Sequence, residues 1–185
     1  MKVTRLAIPD VLLCEPIRHQ DERGFFSEVW KRSADSAAGM HADWVQDNHS
    51  LSRGAGVLRG LHFQLEPMAQ AKFVRVVRGR LWDVVVDIRE GSPSYGQHVS
   101  AELSAENWRQ VFIPRGFAHG FITLEPDTEV IYKVDNEYSR EHDRVIRWDD
   151  PALGIPWPLP AGGPVLSDKD RDAPLLAEIP PPFPA

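Results

Sequence analysis

The chain has 185 residues, with 27 acidic and 21 basic side chains, so its formal net charge at pH 7 is −6. That charge gives no general attraction to nucleic acid or to an anionic membrane surface. No apolar run approaches the roughly 20 residues of a membrane span, and no signal-peptide pattern opens the chain. The single Cys14 excludes an internal disulfide. We therefore expect one cytoplasmic domain over residues 1–185.

Strand patterns dominate the chain up to about residue 134. Residues 1–20 predict a pair of strands, the run Asp21–Gly24 predicts a turn, and a polar stretch around Ala37 predicts one short helix. Gly or Pro turn signals about every 8–12 residues indicate an antiparallel sandwich or barrel. Further strands are predicted at 73–77, 81–88, 98–103, 111–113, 120–124 and 129–134.

The last 35 residues differ in composition, since they hold 10 of the 16 prolines. Proline cannot donate a hydrogen bond to a strand ladder. We therefore expect this segment to wrap the barrel as loops, with a short helix near residues 173–178. Residues from about 179 to 185 are expected to form a flexible tail.

Alternation along a strand places side chains two residues apart on the same face. It groups Lys72, His119 and Tyr132 each with apolar residues of its own strand, which is typical of a barrel interior with polar groups at its mouth. The same rule puts Asp83 and Asp87 opposite a row of branched apolar residues, so both are expected to point outward.

The first of two histidine motifs, Arg59–Gln64, contains a spacing that the strand period does not explain. Arg59 and His62 are three residues apart, so a regular strand sends them to opposite faces. A bulge at Gly60 would re-aim one of them, and the sequence leaves this open.

The second motif keeps the Pro-x-Gly-x-x-His pattern of the cupin superfamily, from Pro114 to His119. The first motif has His62-x-Gln64 where a metal-binding cupin has His-x-His. A full set of imidazole and carboxylate metal ligands is therefore not visible. We expect no metal, which leaves the histidines free for acid–base chemistry.

Seven stretches, in this order and spacing, closely resemble the dTDP-4-dehydrorhamnose 3,5-epimerase family. The resemblance extends from about residue 4 to residue 178, so it is highly specific. The stretches are residues 21–26, 46–50, 58–64, 86–93, 113–121, 148–158 and 166–170.

The resemblance implies a mostly β, cupin-like double-stranded β-helix, which is a jelly-roll barrel, with few short helices. It also implies a homodimer that exchanges N-terminal strands and that needs neither cofactor nor metal. Family members invert the two ring carbons that flank the ketone of dTDP-4-dehydro-6-deoxy-α-D-glucose, which gives dTDP-4-dehydro-β-L-rhamnose.

The resemblance also implies roles for individual residues. His62 is the base and Asp170 its partner, Lys72 stabilises the enolate oxygen, and Tyr132 returns a proton to the opposite face. Asp143 stands where family members often have Glu. The positions that match nucleotide- and sugar-binding residues are Arg23, Glu28, Gln46, Asn48, Arg59, His119, Tyr138, Asp143 and Lys169.

Three alternatives remain beside this interpretation. A mono-epimerase that acts on carbon 3 or carbon 5 of a related dTDP-ketosugar would share the base and the binding residues. A metal-dependent cupin would need ligands from His62, Gln64 and His119. A non-catalytic sugar-nucleotide binding module is disfavoured because base, partner and acid occur together. Taken one at a time, each of these side chains also fits an ordinary structural role.

Overall fold

The computed structural model describes residues 1–184, which form thirteen strands, two short α-helices and one turn of 3₁₀ helix. The helices are α1 (Arg32–Ala38), α2 (Asp168–Arg171) and the 3₁₀ turn Leu176–Glu178, and within this range no helix is long and apolar enough to cross a membrane. The strands are β1 (Lys2–Arg5), β2 (Leu12–Glu15), β3 (His19–Asp21), β4 (Gly24–Phe26), β5 (Gln46–Ser52), β6 (Leu58–Gln64), β7 (Lys72–Arg78), β8 (Arg80–Asp87), β9 (His98–Ser104), β10 (Gln110–Ile113), β11 (Phe117–Thr123), β12 (Thr128–Val134) and β13 (Asp143–Val145).

The strands form two antiparallel sheets and one separate hairpin. One sheet has the order β1-β2-β10-β7-β12-β5, and the other has the order β13-β6-β11-β8-β9. Within residues 1–184, β3 pairs only with β4. Successive strands such as β6, β7 and β8 alternate between the two sheets, as they do in a jelly roll. The mostly β jelly-roll barrel predicted from the sequence is confirmed.

The main core fills the space between the two sheets. Alternate residues of the facing strands point into this space, and each fully buried aliphatic or aromatic side chain stabilises the fold by about 1.5–3 kcal/mol. The buried members include Val74, Val76, Leu81, Val85, Val111, Ile113, Phe117 and Val130.

A second apolar cluster covers the outer face of the five-stranded sheet, under the proline-rich C-terminal segment. Leu153 and Leu176 of this segment are buried against it. The ring of Phe183 lies 6.3 Å from that of Phe63, and the carbonyl of Phe183 accepts a hydrogen bond from the backbone N–H of Glu90. The expected wrap is thus present, but residues 179–184 are bound to the barrel instead of forming a free tail. Ala185 lies outside the described residues.

The prediction that Asp83 and Asp87 point outward is wrong. Asp83 is 1 % exposed and Asp87 is fully buried. Strand β8 is covered on both faces, because Val85 packs in the barrel core while Val84 and Val86 pack under the C-terminal segment. A strand covered on both faces has no polar side from which the direction of its side chains can be inferred.

Candidate active site

His62 and Asp170 form a hydrogen-bonded pair at the mouth of the barrel. His62 lies on β6, and Asp170 lies on helix α2, whose N-cap is Ser167. The distance from His62 Nε2 to Asp170 Oδ1 is 2.6 Å, and Asp170 Oδ2 accepts a hydrogen bond of 2.7 Å from Ser167 Oγ. The His62 side chain is 32 % exposed while that of Asp170 is buried. The imidazole is therefore accessible, and its partner is fixed.

The charge of Asp170 selects the tautomer of His62. Burial raises the pKa of Asp170, but hydrogen bonds from His62 and Ser167 outweigh burial, so the net pKa lies below its ordinary value. An ionised carboxylate only accepts hydrogen bonds, so His62 Nε2 carries the hydrogen. The lone pair on His62 Nδ1 is then free to take a proton.

A bulge in β6 solves the spacing problem between Arg59 and His62. His62 is opposite His119 and Arg59 is opposite Phe121, so three steps on β6 match two on β11. Gly60 has a φ of +142°, and a Cβ there would lie 2.5 Å from Gly120 Cα, so only glycine fits this approach. The bulge is therefore present where the sequence allowed it.

Arg59 extends from this bulge toward strand β5 of the other sheet. Its Nε lies 3.3 Å from Ser52 Oγ, and its Nη2 lies 3.4 Å from the carbonyl oxygen of Leu51. Burial raises the pKa of Tyr132, and the nearby charge of Arg59 opposes this rise. A guanidinium group thus lies on the same side of the barrel as the phenol.

Lys72 is a buried ammonium beside the His62 backbone. Its Nζ donates a hydrogen bond of 3.3 Å to the carbonyl oxygen of His62. Burial lowers the pKa of Lys72 to about 8, against the opposing charges of Asp143 and Asp83, and Lys169 lowers it further. At neutral pH the side chain is still mostly charged, in a place that excludes water.

Tyr132 lies on β12, in the sheet opposite the one that contains β6 and His62. Its register partners are Val74 on β7 and Asn48 on β5, so the phenol shares the inner face with both. Burial raises the pKa of Tyr132, which Arg59 partly opposes and Asp143 reinforces. The phenol therefore keeps its proton at neutral pH and can act as an acid.

One cavity of about 220 Å³ brings most of the predicted site residues together. Tyr138 and Lys169 both bond to Asp143, and Gln46 bonds to Asn48. Polar residues that are far apart in the chain thus lie together around the entrance of one cavity. The residues that line it are Gln46, Asn48, His62, Phe63, Gln64, Gln70, Lys72, Tyr132, Tyr138, Asp143 and Lys169.

Two predicted binding residues, Arg23 and Glu28, lie away from this cavity. Arg23 is on the exposed turn between β3 and β4 and pairs with Asp21. Glu28 follows the hairpin and pairs with Lys31. The structure of one chain therefore does not bring these two residues to the site.

His119 lies deeper in the barrel, next to His62 in the register of β11 and β6. Its Nε2 is 2.7 Å from Oδ2 of Asp83, a residue that the sequence interpretation did not place in the site. One signal could have found it: Asp83 is two residues from both Leu81 and Val85, which point into the barrel core.

Gln64 has a structural role. Its amide nitrogen donates to the carbonyl oxygens of Met68 and Glu137, and its amide oxygen accepts from the backbone N–H of Ser139. Residues 1–184 contain no cluster of three or more His, Cys, Asp or Glu arranged to hold a metal ion. The metal-free interpretation stays a prediction.

The family model for dTDP-4-dehydrorhamnose 3,5-epimerase matches residues 5–178. A curated enzyme of that description from Sinorhizobium fredii is 54 % identical, over 95 % of this chain and 89 % of its own. A crystal structure of a Legionella pneumophila dTDP-6-deoxy-D-glucose-3,5-epimerase in complex with dTDP-4-keto-L-rhamnose aligns with a TM-score of 0.92. It is 43 % identical and covers 97 % of this chain and 94 % of that one.

A further solved structure is a 3'-monoepimerase from Streptomyces bikiniensis in complex with dTDP-quinovose. It aligns with a TM-score of 0.85 at 36 % identity, over 93 % of this chain and 86 % of that one. The likeness to these structures agrees with the cupin-like β fold that the sequence resemblance implied. From the family match and the 54 % identity, this chain belongs to the dTDP-4-dehydrorhamnose 3,5-epimerase family.

Proposed function

We propose that this chain catalyses the 3,5-epimerisation of dTDP-4-dehydro-6-deoxy-α-D-glucose to dTDP-4-dehydro-β-L-rhamnose. This step leads toward dTDP-L-rhamnose. One observation carries the proposal: His62, Lys72 and Tyr132 line the same cavity, and His62 is bonded to Asp170. The chain that contains this site belongs to the epimerase family. These groups are the base, the charge stabiliser and the acid that inversion next to a ketone needs.

The first half of each inversion is removal of a proton. His62 Nδ1 takes the proton from the ring carbon beside the ketone. The C–H electron pair becomes the C=C bond of an enolate, and the carbonyl π electrons move to the ketone oxygen. The Lys72 ammonium stabilises that oxygen, as an oxyanion hole does, because a fixed charge in a dry site needs no reorganisation. Asp170 stabilises the imidazolium that results.

The second half returns a proton to the other face of the ring. Tyr132 lies across the cavity from His62, on a strand of the opposite sheet. Its phenol donates to the carbon as the enolate electrons return, and the ketone re-forms. The two groups exchange protons with solvent before the second carbon reacts in the same way.

The nucleotide end of the substrate requires groups that bind phosphate. A guanidinium donates paired hydrogen bonds to a pyrophosphate, and an ammonium adds a point charge. Arg59 and Lys169 supply these groups, and Asp143, Gln46 and Asn48 complete the polar wall of the cavity, with His119 deeper in the barrel. Tyr138 is 58 % exposed, so its ring is free to stack on the thymine base.

The positions of Arg23 and Glu28 support a homodimer that exchanges N-terminal strands. Among residues 1–184, the hairpin that carries Arg23 and precedes Glu28 pairs with no other strand, and it exposes the rings of Phe25 and Phe26 at 54 % and 67 %. Strand β5, which carries Asn48, is one of the two edge strands of the six-stranded sheet, and the N-terminal strand β1 is the other. Exposed apolar hairpins and free edges favour pairing with a second copy, which would bring a partner's Arg23 to this cavity.

Mixing two inactive variants tests the exchange. If each site uses one chain's His62 and the other's Arg23, unfolding and refolding His62→Ala together with Arg23→Ala restores roughly a quarter of the wild-type sites. Each variant refolded alone serves as the control. A mixture as inactive as its components, with dimers confirmed by light scattering, contradicts the exchange.

Turnover of dTDP-4-dehydro-6-deoxyglucose, coupled to a reductase specific for the doubly epimerised product, tests the proposed activity. The second candidate is a mono-epimerase, favoured by the likeness to the Streptomyces bikiniensis enzyme. NMR of the product separates the two, because a mono-epimerase inverts one carbon and yields no substrate for that reductase.

A further inference from the structure

Asp83 is a buried carboxylate that the mechanism above does not use. Its Oδ2 is 2.7 Å from His119 Nε2, but its Oδ1 has no hydrogen-bond partner among residues 1–184. The side chain is 1 % exposed and points between the two sheets. A buried carboxylate that is only half bonded is costly unless a positive charge lies near it.

Lys72 is the cation that faces Asp83 across the barrel. The two residues lie on opposite sheets, and the charge of Asp83 opposes the fall in the pKa of Lys72 that burial causes. The Lys72 ammonium has three donors, and one bonds to the carbonyl oxygen of His62. Asp143 also acts on Lys72, but it is already bonded to Lys169 and Tyr138 at the mouth.

We propose that Asp83 is a positioning residue for the reaction, anchored by His119 and acting as the counter-charge that keeps the Lys72 ammonium protonated. The role of Lys72 in this inference rests on the proposed function. A neutral amine in the same place would not offset the charge that grows on the ketone oxygen. Asp83 therefore acts through Lys72 and does not touch the substrate.

The other groups around Lys72 come from six different elements. Asp143 raises the pKa of Lys72 and Lys169 lowers it. Removing Asp83 leaves these two in place, so its own effect on the Lys72 charge can be measured separately. The titratable or charged groups that line the cavity with Lys72 are His62 on β6, Tyr132 on β12, Asp143 on β13 and Lys169 on α2. Asp170 on α2 bonds to His62, and Asp83 on β8 and His119 on β11 form the buried pair.

Asp83→Asn tests the proposal, since it keeps the shape and an acceptor oxygen for His119 but removes the charge. Without that charge Lys72 loses its proton at lower pH, so we expect the alkaline limb of the pH profile of kcat/KM to move to lower pH. At pH values above about 8 kcat should fall while KM changes little. In a Lys72→Met background the same change should have no further effect.

Asp87→Asn is the matched control. Asp87 is buried four residues along the same strand but is neutralised by Arg89. Its substitution should leave the alkaline limb where it is. The proposal is overturned if the alkaline limb of the kcat/KM profile of Asp83→Asn lies at the same pH as in wild type. It is also overturned if the fold-losses of activity in Asp83→Asn and Lys72→Met multiply in the double variant, as they do for independent sites.

A stability measurement needs no substrate, so it separates this inference from the proposed activity. Lys72→Gln leaves the buried Asp83 carboxylate without its cation, so it should lose stability. Adding Asp83→Asn removes the uncompensated charge and should restore part of that loss in chemical denaturation at about pH 7. A double variant no more stable than Lys72→Gln overturns the proposal.

Discussion

Two histidines lie side by side on neighbouring strands of this barrel, and each is bonded to a buried aspartate. The His62–Asp170 distance is 2.6 Å and the His119–Asp83 distance is 2.7 Å. The His62 side chain is 32 % exposed, but that of His119 is 10 % exposed. Both pairs have the same chemistry, so the exposed fraction of the imidazole is the difference on which the proposed assignment of His62 as the base and His119 as a supporting group depends.

The two histidines differ in exposure because their aspartates lie on different kinds of element. Asp170 comes from helix α2, which lies outside the sheets and reaches His62 at the rim. Asp83 comes from β8, the strand next to β11 in the same sheet, and its carboxylate lies in the barrel interior. Because Asp170 bonds to His62 from outside the sheets, Nδ1 of His62 stays exposed to the cavity. Asp83 bonds to His119 from within the barrel and holds that ring in the interior.

The largest expected effect comes from removing the accessible histidine. His62→Ala should lower kcat by 10²–10⁴-fold or more, which is about the cost of losing a general base. His119→Gln should lower activity less, because that residue supports the site and does not take the proton. Steady-state kinetics on the folded variants checks both, and an equal or larger loss in His119→Gln would reverse the assignment.

The next effect comes from the aspartate that fixes the tautomer. Asp170→Asn places an amide N–H near Nε2 of His62, which favours the tautomer with hydrogen on Nδ1 and blocks the base. Binding of dTDP, measured by calorimetry, should stay nearly unchanged while kcat falls. Because the two residues act as a unit, the double change with His62→Ala should cost little more than His62→Ala alone. Losses that multiply would refute the coupling.

A smaller and more selective effect is expected at Tyr132. His62 can remove a proton and return a solvent deuteron to the same face, but inversion needs a donor on the other face. Tyr132→Phe should therefore keep hydrogen exchange in deuterated water while it forms much less inverted product. His62→Ala, the matched comparison, should lose exchange and inversion together, as mass spectrometry and NMR of the recovered sugar nucleotide would show. Normal inversion by Tyr132→Phe would mean that another group is the donor.

Much of the fold follows from local patterns in the sequence. Most of the strands, the turn before Gly24 and the short helix over Arg32–Ala38 lie where composition and alternation predicted them, but β5 and β13 were not predicted. Lys72 and Tyr132 share inner faces with apolar residues, as period-2 alternation predicts. These features depend on residues close in the chain, whose geometry the strand repeat determines.

The rest depends on contacts that no local pattern contains. The His62–Asp170 pair joins residues 108 positions apart, and only the family resemblance suggested it. Asp83 was assigned to the wrong side because the C-terminal segment covers the outer face of β8, which removes the contrast between polar and apolar faces. Arg23 and Glu28 lie away from the cavity of their own chain, so their roles depend on whether a second copy pairs with the hairpin.

Removal of divalent ions is expected to have no effect on turnover. In a metal-dependent cupin both histidines and the residue at position 64 would direct lone pairs at a common point. Here each histidine directs Nε2 at its own aspartate, and the amide of Gln64 is fully used by the backbone of Met68, Glu137 and Ser139. Exhaustive treatment with a chelator should leave turnover unchanged. A loss that added divalent ion restores would show that the two pairs share a metal and would overturn the distinction between base and support.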